Sequence, residues 1–208
     1  MRRIDLIKWG AIGAILGGAI YVVAGGILSA PPFSGGTPSW YQQNPAWYLV
    51  EFVGKAALLV GLAGLFLYLR RSPRFRWLGT AGFGFLVVVT VYELILALVA
   101  LASAPAAESV DGSLGPIKEL VKLLGILLFG IAILRAGTLP RAGAWVMILA
   151  VLVVVASIGS FIVGPAAFAD WSFPVAAVLY GLAFILLGNG LWSRRDQPAA
   201  RMRPARVR

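Results

Sequence analysis

Six charged residues stand inside apolar sequence: Glu51 and Lys55 in Glu-Phe-Val-Gly-Lys, Glu93 in Val-Tyr-Glu-Leu-Ile, and Lys118, Glu119 and Lys122 in Lys-Glu-Leu-Val-Lys. Carboxylates and ammonium groups in such surroundings can pair with each other, carry a proton, or hold an ion or a lipid headgroup. An ionised side chain deep in a hydrocarbon layer costs about 2.5 kcal/mol or more unless it is paired or wet. Glu93 lies well inside an apolar run on either side. Spacing suggests its partners. Glu51 and Lys55 are four apart, with Glu first, the favourable order on one helix face. Lys118 and Lys122 share a face in the same way. Helix rise places Lys55, Glu93 and Lys122 at similar depths, so Glu93 is expected to pair with Lys55 or Lys122. The six residues then form a polar cluster between three helices, either a structural ion-pair lock or a binding site with Glu93 as the titrating group.

Other chemistries are excluded by residue type. The chain has neither cysteine nor histidine. That removes disulfides, thiol relays, Cys/His zinc sites, His-ligated haem and serine hydrolysis with a histidine base. No aspartate lies inside an apolar run, which argues against a paired-aspartate intramembrane protease. No metal site and no cofactor is expected. The Gly-Gly pairs near the N-terminus are not a phosphate loop, because no strand precedes them and no Gly-Lys-Ser/Thr follows.

The elements that must position the cluster are membrane helices. Of 208 residues, 60% are hydrophobic and 12% charged, against about 25% charged in a soluble domain. Mean hydropathy is +0.90. The expected fold is all-α: a polytopic membrane protein with one domain over residues 1–192, and a basic, disordered tail over 193–208. Its helices fall at about 7–29, 45–69, 77–101, 116–134, 144–163 and 173–192. The first is read as a retained helix rather than a signal peptide, since its apolar run is long and Pro31-Pro32 follow. The apolar runs Ala56 to Leu69 and Leu123 to Leu134 are short for a core of about 30 Å. Their charged first turns must therefore lie below the membrane surface or pack away from lipid.

The connecting loops alternate in charge. Fifteen Lys/Arg against Asp5 and Asp196 give +13 for the N-terminus, second loop, fourth loop and tail. Lys55, Lys118 and Lys122 against six acids give −3 for the remainder, which recovers the net +10. This is the positive-inside pattern for six crossings with both termini cytoplasmic. It accounts for the basic balance without nucleic acid, and points to the lipid bilayer and to anionic lipids at the cytoplasmic face as partners.

An internal repeat is visible. Trp9, Trp77 and Trp145 lie 68 residues apart, as do Glu51 and Glu119. Pro45, Pro116 and Pro174 are expected to open the even helices, and Arg70, Arg135 and Arg194 to close them. The reading is three tandem helical hairpins. Gly13 and Gly17 on the first helix form a small-xxx-small face for close packing within the chain, or for a homo-oligomer. The first outer loop carries Trp40, Tyr41, Trp47 and Tyr48, which suit the outer aromatic belt or a lid. Asn189 is expected to make an interhelical hydrogen bond.

The run Leu127-Leu-Phe-Gly-Ile-Ala-Ile-Leu-Arg-Ala-Gly-Thr-Leu-Pro-Arg-Ala-Gly resembles one in uncharacterised six-helix bacterial integral membrane proteins, where a helix ends in Arg and a Leu-Pro-Arg turn leads into the next. The resemblance covers this loop and its flanks. It implies six helices and a bacterial inner (plasma) membrane, and no activity.

The function these features favour is that of a non-catalytic integral membrane protein, an accessory or assembly component of a membrane complex with a protein partner. The alternative is a small transporter or channel for an ion, proton or small solute that uses the outer-leaflet Glu/Lys cluster. An enzyme would have to work with Glu, Lys, Tyr or Ser alone. A polar cavity reaching Glu93 separates the alternative from the first reading.

Overall fold

In a computed structural model, which describes residues 3–28, 30, 45–163 and 166–194, the chain forms six α-helices: α1 (Arg3–Tyr21), α2 (Pro45–Leu69), α3 (Arg76–Ala102), α4 (Ala104–Ala136), α5 (Arg141–Val163) and α6 (Ala166–Ser193). A π-helical segment, Val22–Ile27, continues α1. Five helices are long and apolar enough to cross a membrane. The exception is α4, whose apolar sequence is interrupted by Lys118, Glu119 and Lys122.

Large apolar side chains face outward on every helix, among them Leu16, Val60, Val88, Leu120, Leu152 and Leu182. Water would penalise such a surface and a bilayer would not. Trp9, Trp77 and Trp145 are all exposed near helix starts.

Successive helices run antiparallel. The broadest packing joins α1 to α2, α3 to α4 and α5 to α6; α1 also packs widely on α6, while the α4–α5 seam is the slimmest between sequence neighbours. Glycine sets the close approaches. A Cβ on Gly13 would meet the Ala57 carbonyl oxygen at 2.6 Å, and one on Gly17 would meet the Leu58 nitrogen at 2.6 Å. The small-residue face of α1 is therefore spent on α2. The other side of α1 is spent on α6, where Gly18 faces Gly181. Gly82 of α3 lies against Gly125 and Phe129 of α4. That contact repeats the one between Gly13 and its partners Ala57 and Gly61, moved on by 68 to 69 residues.

Several expectations are corrected. Helix α4 begins at Ala104, not near Pro116. Ser103 caps it, its Oγ accepting from the Ala106 amide, and Pro105 sits in the first turn. With Ala104, Ala106 and Ala107 as good helix formers, the expected loop is helical. Pro116 thus lies inside α4, and Pro174 inside α6, which begins at Ala166. Only Pro45 stands at a helix start. Asn189 is exposed and makes no hydrogen bond to another helix among the described residues. The side chain that ties down that end of α6 is Arg194, which donates to the Thr138 carbonyl in the α4–α5 turn. That turn forms because Gly137 ends α4 in the left-handed region (φ 63°), a conformation that favours glycine. Trp40 and Tyr41 of the first loop, and the tail beyond Arg194, lie outside the described residues.

Candidate functional site

The polar cluster is assembled from α2, α3 and α4. On α2, Lys55 Nζ donates to Glu51 Oε2 at 3.2 Å, one turn away. On α3, Leu86, Thr90, Glu93 and Ala97 form a buried strip at helical spacing. The Thr90 hydroxyl satisfies itself on the Leu86 carbonyl at 2.7 Å. Glu93 has no such local option and is 8% exposed. Its partner is Lys122 of α4, whose Nζ donates to Glu93 Oε1 at 3.0 Å. Of the two expected pairings, the geometry selects Lys122. Glycine brings the pair level: Gly125, one turn from Lys122, packs against Phe85 and Leu86.

The remaining α4 charges extend the network. Glu119 lies 3.6 Å from Lys118 and 3.7 Å from Lys122. Lys118 Nζ donates to Asp111 Oδ1 at 2.7 Å. All six residues singled out from the sequence thus join ion pairs, four of them within one helix and one between α4 and α3.

Four further residues belong to the site and escaped notice. Asp111 is seven residues before Lys118, on the same face if the helix runs through Pro116; the Pro-Gly signals around it read as a loop. Glu108 lies one turn earlier. Tyr21 ends α1 beneath Lys122, whose Nζ stands 5.6 Å from the ring centroid, within cation–π range. Tyr180 of α6 meets Tyr21 edge-on at 5.1 Å and Phe184 at 5.0 Å. No signal separates these tyrosines from ordinary core aromatics, except that Tyr21 immediately precedes a Gly-containing π segment, a feature often found at functional sites.

Three cavities surround the network. The largest, about 460 Å³, opens at the end of the bundle that holds the α3–α4 turn; Trp47, Tyr48, Glu51, Lys55, Glu108 and Asp111 line it with small residues of α3 and α4. A second, about 100 Å³, shares Glu51 and Lys55 with the first and reaches Glu93, Tyr21 and Gly25. The third, about 350 Å³, shares Tyr21 and Gly25 with the second and runs between α4, α5 and α6 past Glu119 and Lys122 into apolar walls. The arrangement can hold a small polar solute, exchange one ion pair for another, and bring water to a buried carboxylate. Among the described residues no group of three or more acidic side chains stands ready to hold a metal ion.

No protein-family model, no curated protein and no solved structure matches the chain.

Proposed function

We propose that the protein is a non-catalytic, six-pass integral membrane protein of a bacterial plasma membrane that takes a small polar solute from the outer face into its Glu/Lys cluster. In this reading it comprises three tandem hairpins with both termini cytoplasmic. The positive-inside charge pattern supports the orientation, and the repeated glycine contact supports the first two hairpins. The observation that carries the function is the small cavity that reaches Glu93 and shares Glu51 and Lys55 with the larger one at the α3–α4 end of the bundle. A purely structural ion pair needs no such approach. The Glu93–Lys122 pair is the inner stop of this path, and a solute passes it only by displacing one partner.

The test is flux in liposomes. The purified protein is reconstituted and offered a panel of an amine, a neutral amino acid, a sugar, a carboxylate and protons read by a pH dye. The expected result is transit of one class above protein-free liposomes, at least tenfold slower in Glu93→Gln and retained in Glu93→Asp. Panel-wide absence of transit overturns the reading. The accessory-subunit reading, favoured by the closed pairing of Glu93 with Lys122, takes its place if a stoichiometric protein partner also co-purifies.

A further inference from the structure

The solute is a cation: we propose that the 460 Å³ cavity binds an organic ammonium ion, its charge facing Glu108, Glu51 and Asp111 and its alkyl body lying against Trp47 and Tyr48. This deepens the solute reading above and rests on it.

Charge is the first ground. Glu51, Glu108 and Asp111 line the cavity with Lys55 as the single lining base; with Lys55 on Glu51 and Lys118 on Asp111, the charge left over is a net −1, that of Glu108. The lysines nearby are engaged: Lys55 with Glu51, Lys118 with Asp111, Lys122 with Glu93. Glu108 has no ion-pair partner among the described residues. None can come from the neighbouring connections either, because residues 29–44, 103–115 and 164–172 hold no Lys or Arg. One uncompensated negative charge, that of Glu108, thus remains at the cleft, which favours a cation over an anion there.

The second ground is the helix backbone. Gly112 also lines the cavity. Its carbonyl would ordinarily accept from the amide four residues on, which is Pro116, and proline has no amide hydrogen. Pro116 therefore supplies no donor to the Gly112 carbonyl at the usual helical position.

The third ground is the kind of surface that completes the cleft. An indole and a phenol stand beside the acids, and Tyr48 lies within electrostatic range of both Glu108 and Glu51. Aromatic faces next to carboxylates favour ammonium groups with attached carbon over hydrated metal ions. The alanines Ala97, Ala100, Ala104 and Ala107 leave room for that carbon.

The experiment uses the full chain in mild detergent, with radiolabelled choline as probe and 3,3-dimethylbutan-1-ol as its uncharged isostere. Saturable choline binding is expected, displaced by tetramethylammonium and not by the isostere. Glu108 is exposed, so its replacement spares the fold. Glu108→Gln weakens binding at least tenfold, and Glu108→Lys, which supplies the missing base, abolishes it. Displacement by the isostere at equal concentration, an unaltered affinity in Glu108→Lys, or no saturable binding overturns the proposal. If the proposal fails while liposomes still pass another solute class through Glu93, the path reading stands. If choline binds and no solute crosses, the path reading falls and the site remains.

Discussion

At the scale of single residues, the energetic centre is the Glu93–Lys122 pair. Both side chains are largely withdrawn from the surface, with relative exposures of 10% and 15%. Removing one partner of a buried pair strands the other, at a cost of about 3–5 kcal/mol. Glu93→Gln and Lys122→Met are therefore each expected to lower thermal stability sharply, and the double variant to recover much of the loss. The check is a double-mutant cycle in detergent: a coupling energy of about 0.5–3 kcal/mol is expected for Glu93 with Lys122, and a smaller one for Glu93 with Lys55. Simple additivity for the first pair would sink the assignment. Much of this site was legible in the sequence, because a charge inside apolar sequence must be answered by another charge. Glu51, Lys55, Glu93, Lys118, Glu119 and Lys122 announce themselves in that way. Tyr21 and Tyr180 do not, since an aromatic ring in an apolar run is compatible with core, belt or site alike.

At the scale of elements, glycine decides how closely the helices approach. Gly13, Gly17 and Gly82 each face backbone atoms of a neighbouring helix, so an added methyl has nowhere to go. Gly13→Ala and Gly82→Ala are expected to destabilise by about 1–3 kcal/mol each, read as lower midpoints in thermal unfolding. Gly84→Ala, at a position open to space, should be neutral or slightly stabilising. Equal losses at all three positions would show that helix propensity, not contact, is at work. The helices themselves were largely readable from their apolar runs, and their packing partners partly from the glycines. The beginnings of α4 and α6 were not. Pro, Gly, Ser and Asp between residues 103 and 116 carry loop signals, and what overrode them is local: the Ser103 cap, a first-turn proline and a run of alanines. The Lys118–Asp111 contact then holds the two sides of Pro116 together. Asn189 shows the opposite error, a polar residue assumed to need a partner when its helix face is exposed.

At the scale of the whole molecule, the two ends of the bundle differ in charge and in shape. One end carries the arginines of the short α2–α3 and α4–α5 turns; the other carries the acids and the wide cavity. The absence of cysteine makes the proposed orientation easy to examine, since every introduced thiol is the sole reactive one. Ser109→Cys is expected to react with a membrane-impermeant maleimide on intact cells, and Ser72→Cys only after the membrane is opened. The reverse order would invert the bundle and close the outward route to Glu93. The central place of α1 has a different consequence. Its two faces are covered by α2, made next, and by α6, made four helices later. During synthesis the second face must wait, with Gly18, Gly25 and Gly26 not yet covered by α6, until the four helices between have been made. The bundle closes only when the sixth helix reaches the first, so a nascent chain that stops before α6 leaves one whole side of its first helix without a packing partner.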